Sequence, residues 1–342
     1  MIRIATYNVE WFNSLFDDKG RIEATAEWSG RQDVSKAEQV AALGHVFQAM
    51  NADVIMVIEA PDISRSRDGT QALRNFADHF GLRTRAVLAG FANETQQEIL
   101  LMYDPDRVQA KHDPKGTPTG KKGKTATPRF DGVFRWDLDT DAAPEPITWS
   151  KPPLEVALRT KGGRALRLIG VHAKSKAPHG ARTPAEILRV NIENRRKQLA
   201  QCIWLRQRVE QHLEAKDDLI VLGDFNDGPG LDEYEKLFGR SSIEIVMGEE
   251  GAIQLYDPHA RLALSKRVPP LPTTSRFRIP PDGHFLAALL DYIMVSPGLA
   301  ALDPVWRIWH PFDDPACFAD DVLRESLLLA SDHFPVTLDI KL

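Results

Sequence analysis

Six places in the chain end an apolar run on a side chain that can take part in acid–base or metal chemistry. Asn8 and Glu10 follow IRIATY, Glu59 follows DVIMVI, and His172 follows Leu168–Val171. Asp224 and Asn226 stand in LIVLGDFND, Asp291 in LLDYIMVS, and Asp332 and His333 in SDHFPV. A strand buried up to its last residue and then ended by a carboxylate, imidazole or amide is how a rigid sheet presents groups to a cleft. Each piece has a plain structural alternative. An Asp or Asn after a strand is a common turn residue, Glu59 a loop acid, Asn8 a buried amide pinning a turn, and His172 a satisfied core histidine. Six such ends in one chain are harder to dismiss.

Other chemistries lack their residues. Gly123-Lys124-Thr125 resembles the end of a phosphate-binding loop, but the required earlier glycine is Pro118. Gly228-Pro229-Gly230 lacks the third glycine of a dinucleotide fingerprint. H-E-x-x-H and G-x-S-x-G are both missing. ATP hydrolysis, nicotinamide chemistry and serine-esterase chemistry therefore have no support.

The elements that must position these residues can be read from periodicity. Residues 1–9 alternate as a strand, and Asp53–Ile58 suits a strand buried on both faces. Val40, Leu43, Val46, Phe47 and Met50 recur at helical spacing, predicting a helix over 35–50, with another over 69–80. Thr183-Pro184-Ala185-Glu186 is a capping box with proline at the first helical position, opening a helix to about Ala215. Further strands are expected at 83–88, 98–103, 133–138, 154–159, 165–171, 219–222, 292–295 and 336–340. Residues 104–131, rich in Lys, Gly, Thr and Pro, read as a mobile loop, and the five prolines of 269–281 as a stiff one. No repeat or linker divides the 342 residues, so one α/β domain spanning 1–342 is expected, with 104–131 as a flexible insertion.

Composition bounds the rest. With 43% hydrophobic and 27% charged residues the chain is an ordinary globular protein. Two cysteines, Cys202 and Cys317, exclude a disulfide framework and a four-cysteine zinc site. No secretory signal and no run of about 20 apolar residues is visible, so a cytoplasmic protein that does not engage membranes is expected. The net charge of −5 means that any polyanion must be met by a local basic patch or by metal ions.

TYNVEWF, VIEAPD, GVHAKSK, LGDFND, LDYIMVS and SDHFPV occur in this order over residues 6–337. In this the chain resembles the endonuclease/exonuclease/phosphatase superfamily, the group of exonuclease III and the pancreatic-type deoxyribonuclease. The resemblance implies a four-layer α/β/β/α sandwich, two packed mixed β-sheets flanked by helices, with the site at one end. It implies a metal-dependent phosphodiesterase, with nucleic acid (DNA or RNA) as the leading substrate and small phosphodiesters also open. Glu59 then looks like the main ligand of Mg²⁺ or Mn²⁺, assisted by Asn8, Glu10 or Asp332; hard oxygens suit such ions. Asp224 resembles the residue that orients or deprotonates the attacking water, and Asn226 the amide that holds water or phosphate. His333 would donate to a non-bridging oxygen, with Asp291 fixing its tautomer. His172 would be a second donor or the acid for the leaving oxygen, with Glu98 as its acid partner and Gln96 or Gln97 as alternatives.

The sequence departs from the family's pattern in two places. The usual Gln before the metal Glu is Ile58, and Asp291-Tyr292 replaces the Asp-Arg of inositol-polyphosphate phosphatases. Two other readings use the same residues: a phosphatase or lipid phosphodiesterase, or a silent phosphate-binding scaffold. Around the site, Lys174 and Lys176 are candidates for substrate phosphates, against a solvated loop. Lys121, Lys122 and Lys124 form a run able to sweep a polyanion inward, against a solvated segment. Arg195, Arg196 and Lys197 read as surface charges or ion pairs of the long helix. Trp11, Phe12 and Trp28 read as rim or core aromatics, with base stacking the alternative.

Overall fold

A computed structural model describes residues 1–93, 95–137, 143–178, 180–229, 238–265, 271–279 and 283–342. The elements that matter for the site begin with β1 (Ile2–Asn8), α1 (Lys36–Met50), β2 (Val54–Ala60), α2 (Gly69–Phe80), β3 (Ala86–Ala89) and β4 (Glu98–Tyr103). They continue with β5 (Val108–His112), β6 (Phe134–Trp136), β7 (Glu145–Ile147), β8 (Leu154–Thr160), β9 (Ala165–His172), α3 (Pro184–Glu214) and β10 (Leu219–Asp224). The last are β11 (Ser275–Ile279), β12 (His284–Ala288), β13 (Asp291–Val295), β14 (Val305–Ile308), α4 (Asp321–Ala330) and β15 (Val336–Ile340).

Two mixed sheets form the middle, ordered β14-β15-β1-β2-β4-β3 and β13-β10-β9-β8-β5. Their strands alternate between two cores. Ile4, Val54, Met56 and Ile58 of the first sheet meet Leu168, Ile220, Leu222 and Ile293 of the second in an apolar layer between them. The intervening residues face outward: Ala5, Tyr7, Ile55 and Val57 pack on α1, α2 and α4, and Ile169, Val171 and Val221 pack on α3. This is a four-layer α/β/β/α sandwich in one domain. The period of two has to be fully apolar, because both faces of each central strand are covered.

Helix boundaries follow local signals. Ser35 and Thr183 each cap a helix through a reciprocal box with the Glu three residues on. Asn51 and Gly81 end α1 and α2 in the left-handed conformation.

Several expectations need correction. Residues 104–131 are not a mobile loop throughout: β5 is the edge of the second sheet, and residues 127–130 are fastened to α3. Arg208 Nη1 pairs with Glu155 Oε1 at 2.6 Å while its Nη2 donates to Pro128 O at 3.0 Å. Trp204 Nε1 donates to the same carbonyl at 3.1 Å, and the Phe130 ring is buried beneath the Arg208 guanidinium. Composition marks the loop but carries no sign of the buried Arg208 that holds it. The 269–281 segment is likewise no simple stiff loop, since β11 pairs with β12 as a hairpin; Pro269, Pro270, Pro280 and Pro281 lie outside the described residues. The strand expected at 133–138 covers 134–136, and position 138 also lies outside them. No helix among the described residues is long and apolar enough to cross a membrane.

Removing one partner of a buried ion pair strands a charge, at a cost of roughly 3–5 kcal/mol. Glu155→Gln should therefore lower the urea-unfolding free energy by about that much and speed proteolysis within 113–131. The double variant Glu155→Gln/Arg208→Met should recover most of the loss. A single variant as stable as the native chain would show that the pair does not hold this segment.

Candidate active site

Strand direction brings the polar ends together. β1 runs parallel to β2, and β9 parallel to β10, so their C-terminal residues Asn8, Glu59, His172 and Asp224 share one rim. Antiparallel neighbours deliver their N-terminal ends to the same rim. Asp224 pairs in register with Asp291 of β13, and β15 enters beside β1 just after Asp332 and His333. By the same geometry β4 brings Gln97, and β8 brings Lys151. All of these but Asp291, which stands behind His333, line a cleft of about 500 Å³, together with Glu10, Trp11, Lys174, Asn226 and Phe277.

Local backbone aims the side chains. Glu59 is the extra residue of a β-bulge between Ile58 and Ala60, with φ at +61°. A bulge re-aims a side chain that the pleat would otherwise bury, and Ile58 stays in the inter-sheet core. Gly223, at φ +138°, lets β10 approach β9 where a Cβ would meet Val171 O at 2.0 Å. Asp224 follows directly.

The contacts divide into two groups. On one side His333 Nδ1 lies 2.8 Å from Asp291 Oδ2, which also accepts from Thr274 Oγ1 at 2.8 Å. His333 Nε2 is left toward Asp332 Oδ1 at 4.0 Å. On the other, His172 Nε2 stands 3.7 Å from Asp224 Oδ2 and 3.8 Å from Glu59 Oε1. Asp224 accepts from Asn8 Nδ2 at 3.0 Å, from the Asn226 backbone N–H at 2.7 Å and from Asn226 Nδ2 at 3.2 Å. Asn226 Nδ2 also donates to Ala173 O at 3.1 Å. That amide serves the loop, and its availability to water or phosphate is correspondingly reduced.

Glu98 does not pair with His172; its carboxylate accepts from Asn93 Nδ2 at 2.7 Å. The group against His172 is Lys151, whose Nζ is 3.2 Å from Nδ1 and 3.4 Å from Nε2 and also donates to Gln97 Oε1. Gln97 Nε2 in turn donates to Glu59 Oε2 at 2.5 Å. The sequence offers no signal for Lys151: it precedes β8 without following an apolar run, whereas Asp291, which also stands at the start of a strand, follows Leu289 and Leu290.

Arg195 does form an ion pair, but a buried one rather than a surface charge. It is 1% exposed and pairs with the fully buried Asp227 at 2.7 Å. Lys176 reaches the same carboxylate at 2.6 Å, so it braces the GDFND loop from behind. Lys174 lines the cleft. Lys122 and Lys124 line a separate surface hollow with Arg135 instead.

Burial dominates the electrostatics. It pushes the carboxyls of Glu59 and Glu10 up to about 7 and that of Asp224 to about 6, with neighbouring carboxylates adding to each. Burial, with Lys151 and His333 nearby, holds His172 well below the usual imidazole range and therefore neutral. Burial also opposes charge on His333, but Asp291, and then Asp224 and Asp332, outweigh it and keep the imidazolium.

The donor set fits a small hard cation. Asn8 Oδ1 is buried with no hydrogen-bond partner, and the adjoining acids share an excess of negative charge. No group of three or more His, Cys, Asp or Glu able to hold a metal is found among the described residues. Mg²⁺-like ions need few protein ligands, since they keep several waters. Glu10 is already engaged by Arg31 and by Trp11 Nε1 at 2.9 Å.

A family model described as the Endonuclease/Exonuclease/phosphatase family matches residues 5–333. Among solved structures, TDP2 from C. elegans superposes with a TM-score of 0.51 at 14% identity, covering 98% of this chain and 74% of that one. A humanized D. rerio TDP2 gives 0.50 at 12% identity, over 100% and 99%. The human Nocturnin catalytic domain with bound sulfate gives 0.47 at 17% identity, over 99% and 94%. No curated protein matches the chain significantly.

In the metal-free protein, imidazole resonances should show His333 still doubly protonated at pH values where an ordinary imidazole, titrating near 6.5, is neutral, and His172 still neutral where an ordinary imidazole is protonated. Asp291→Asn removes the main group raising His333, so its titration should move down. Unchanged His333 behaviour in that variant would disprove the pairing.

Proposed function

The chain belongs to the endonuclease/exonuclease/phosphatase family, and from that premise we propose that it is a divalent-metal-dependent phosphodiesterase acting on nucleic acid. Enzymes of this family hydrolyse phosphoester bonds and generally use divalent metals. The observation that carries the reading is the convergence of Glu59, Asp224, the His333–Asp291 pair and His172 on one cleft.

Glu59 and Asn8, with Asp332 or Glu10, would hold a Mg²⁺ or Mn²⁺ ion, which would supply charge neutralisation at the phosphoryl oxygens. Asp224 takes the proton of the attacking water, its carboxylate held by the Asn8 amide and the Asn226 backbone N–H. The His333 imidazolium donates to a non-bridging oxygen, with Asp291 fixing which nitrogen faces the cleft. His172 and the adjoining Lys151 form the donor pair nearest the Asp224–Glu59 side and serve the departing oxygen. Lys151 and Lys174 give the cleft local positive charge against a net charge of −5, which favours a polyanionic substrate.

Hydrolysis of bis-p-nitrophenyl phosphate, single- and double-stranded DNA, RNA, sphingomyelin and a phosphoinositide, each with Mg²⁺, Mn²⁺ or EDTA, tests the reading. Nucleic acid should be cleaved with metal and spared with EDTA, and Asp224→Ala should lower the rate by roughly 10²–10⁴-fold with its fold intact. EDTA-resistant turnover, or full activity in Asp224→Ala, would refute the mechanism. Preference for a lipid or a phosphomonoester would move the substrate class.

A further inference from the structure

Trp11 sits at the rim of the cleft, held by three independent constraints. Its backbone is in the left-handed region, at φ 60° and ψ 21°, a conformation a bulky L residue adopts only where its surroundings over-determine it. Its indole N–H donates to Glu10 Oε1 at 2.9 Å. Its ring lies on Gly30, where an added Cβ would come within 2.2 Å of Trp11 Cγ. Gly30 is outside the left-handed range itself, so the missing side chain there makes room for the indole rather than for a turn.

Despite these constraints the residue is 50% exposed and lines the cleft. A large apolar surface locked in place and left open to solvent gains nothing for the fold from its exposed face. The neighbouring aromatics behave differently. Phe12 is buried against Phe16, Phe47 and Phe76, and Trp28 is 71% exposed but does not line the cleft.

We propose that Trp11 is a stacking platform for the nucleobase beside the scissile phosphate, making the site selective for nucleotides whose base is unpaired. This rests on the nuclease reading above. Trp11 is three residues from Asn8 and adjacent to Glu10, so its open face is tied to the residues that handle the phosphate. Aromatic stacking is indifferent to base identity because every base offers a π-face. It requires a base free of its duplex partner. A ring already fixed on its other face loses little freedom when a base is added.

The test uses single-stranded oligonucleotides with one cleavable phosphate, flanked either by a normal nucleotide or by a tetrahydrofuran abasic residue. The full chain should prefer the base-bearing substrate in kcat/KM by roughly tenfold or more. Trp11→Leu should bring that ratio close to one, whereas Trp11→Phe, which keeps a ring but loses the indole N–H, should retain most of it. Gly30→Ala displaces the ring without deleting it and should lower the ratio as well, which keeps the test valid if Trp11→Leu does not fold. An undiminished ratio in Trp11→Leu and Gly30→Ala overturns the platform. Cleavage by the native chain with no discrimination overturns the platform alone. Turnover of bis-p-nitrophenyl phosphate with no cleavage of any oligonucleotide overturns the nuclease reading and the platform with it.

Discussion

The apolar layer between the two sheets is the constraint from which the site follows. Ile4, Val54, Met56 and Ile58 on one side, and Leu168, Ile220, Leu222 and Ile293 on the other, leave no position in the layer where a carboxylate or imidazole can be solvated. Burying an unpaired charge there would cost far more than the strand gains. Helices cover the outer faces of the same strands, so polar side chains are displaced to the strand ends. Parallel pairs send their C-terminal ends, and antiparallel neighbours their N-terminal ends, to one rim. A cluster of functional groups at one edge is thus a consequence of double-sided burial, with the glycine at 223 and the bulge at Glu59 as local adjustments.

That placement creates an electrostatic problem, and its incomplete solution is what gives the site chemistry. Asp224, Glu59 and Glu10 are poorly solvated and close enough to raise one another. His333 and Lys151 supply positive charge, but Asn8 Oδ1 and Asp291 Oδ1 are buried with no partner. In an ordinary core such atoms would be replaced or satisfied. Of the two residues Asn8 lines the cleft, where the proposed cation would complete its oxygen's partners. The two histidines are driven apart by their surroundings: Asp291 keeps one cationic, and burial beside a lysine keeps the other neutral. Opposite protonation states in one cleft give a cationic donor at His333 and a neutral one at His172.

The sequence carried the sandwich and its helix boundaries because burial patterns and caps are local signals. IRIATYN and DVIMVI must be strands covered on both faces, and Thr183 with Glu186 must open a helix. It carried the residues after strands for the same reason. It did not carry Lys151, whose relevance depends on β8 running antiparallel to β9, a fact of topology with no local trace. Nor did it carry Arg195 and Arg208. On a helix of thirty-one residues, charges look alike until a partner strand or loop is placed against one face. Glu98 looked like a partner for His172 because it begins β4, yet the bulge at Glu59 sets the register so that Gln97 reaches the cleft and Glu98 turns to Asn93. A one-residue shift of register exchanges faces, and sequence alone does not show the bulge.

The second layer of charge explains why the loop that carries Asp224 can be both polar and rigid. Asp227 follows Asn226 in a segment whose backbone must hold Asp224 at the rim, and Asn226 itself has φ of +50°. Arg195 and Lys176 converge on Asp227, its other oxygen accepts from the Ser242 backbone N–H at 2.7 Å, and Gln198 donates to the carbonyls of Phe225 and Asn226. Every one of these groups is buried or nearly so, where hydrogen bonds are electrostatically strong and an unpaired member is costly. The network therefore has one low-energy arrangement. It fixes the loop from the side away from the cleft, leaving the Asp224 carboxylate positioned by bonds that a substrate does not need to break. Long helix α3 serves the site in this way without lending it a reacting group: its buried arginine and glutamine turn a flexible Gly-Asp-Phe-Asn-Asp sequence into a rigid mount.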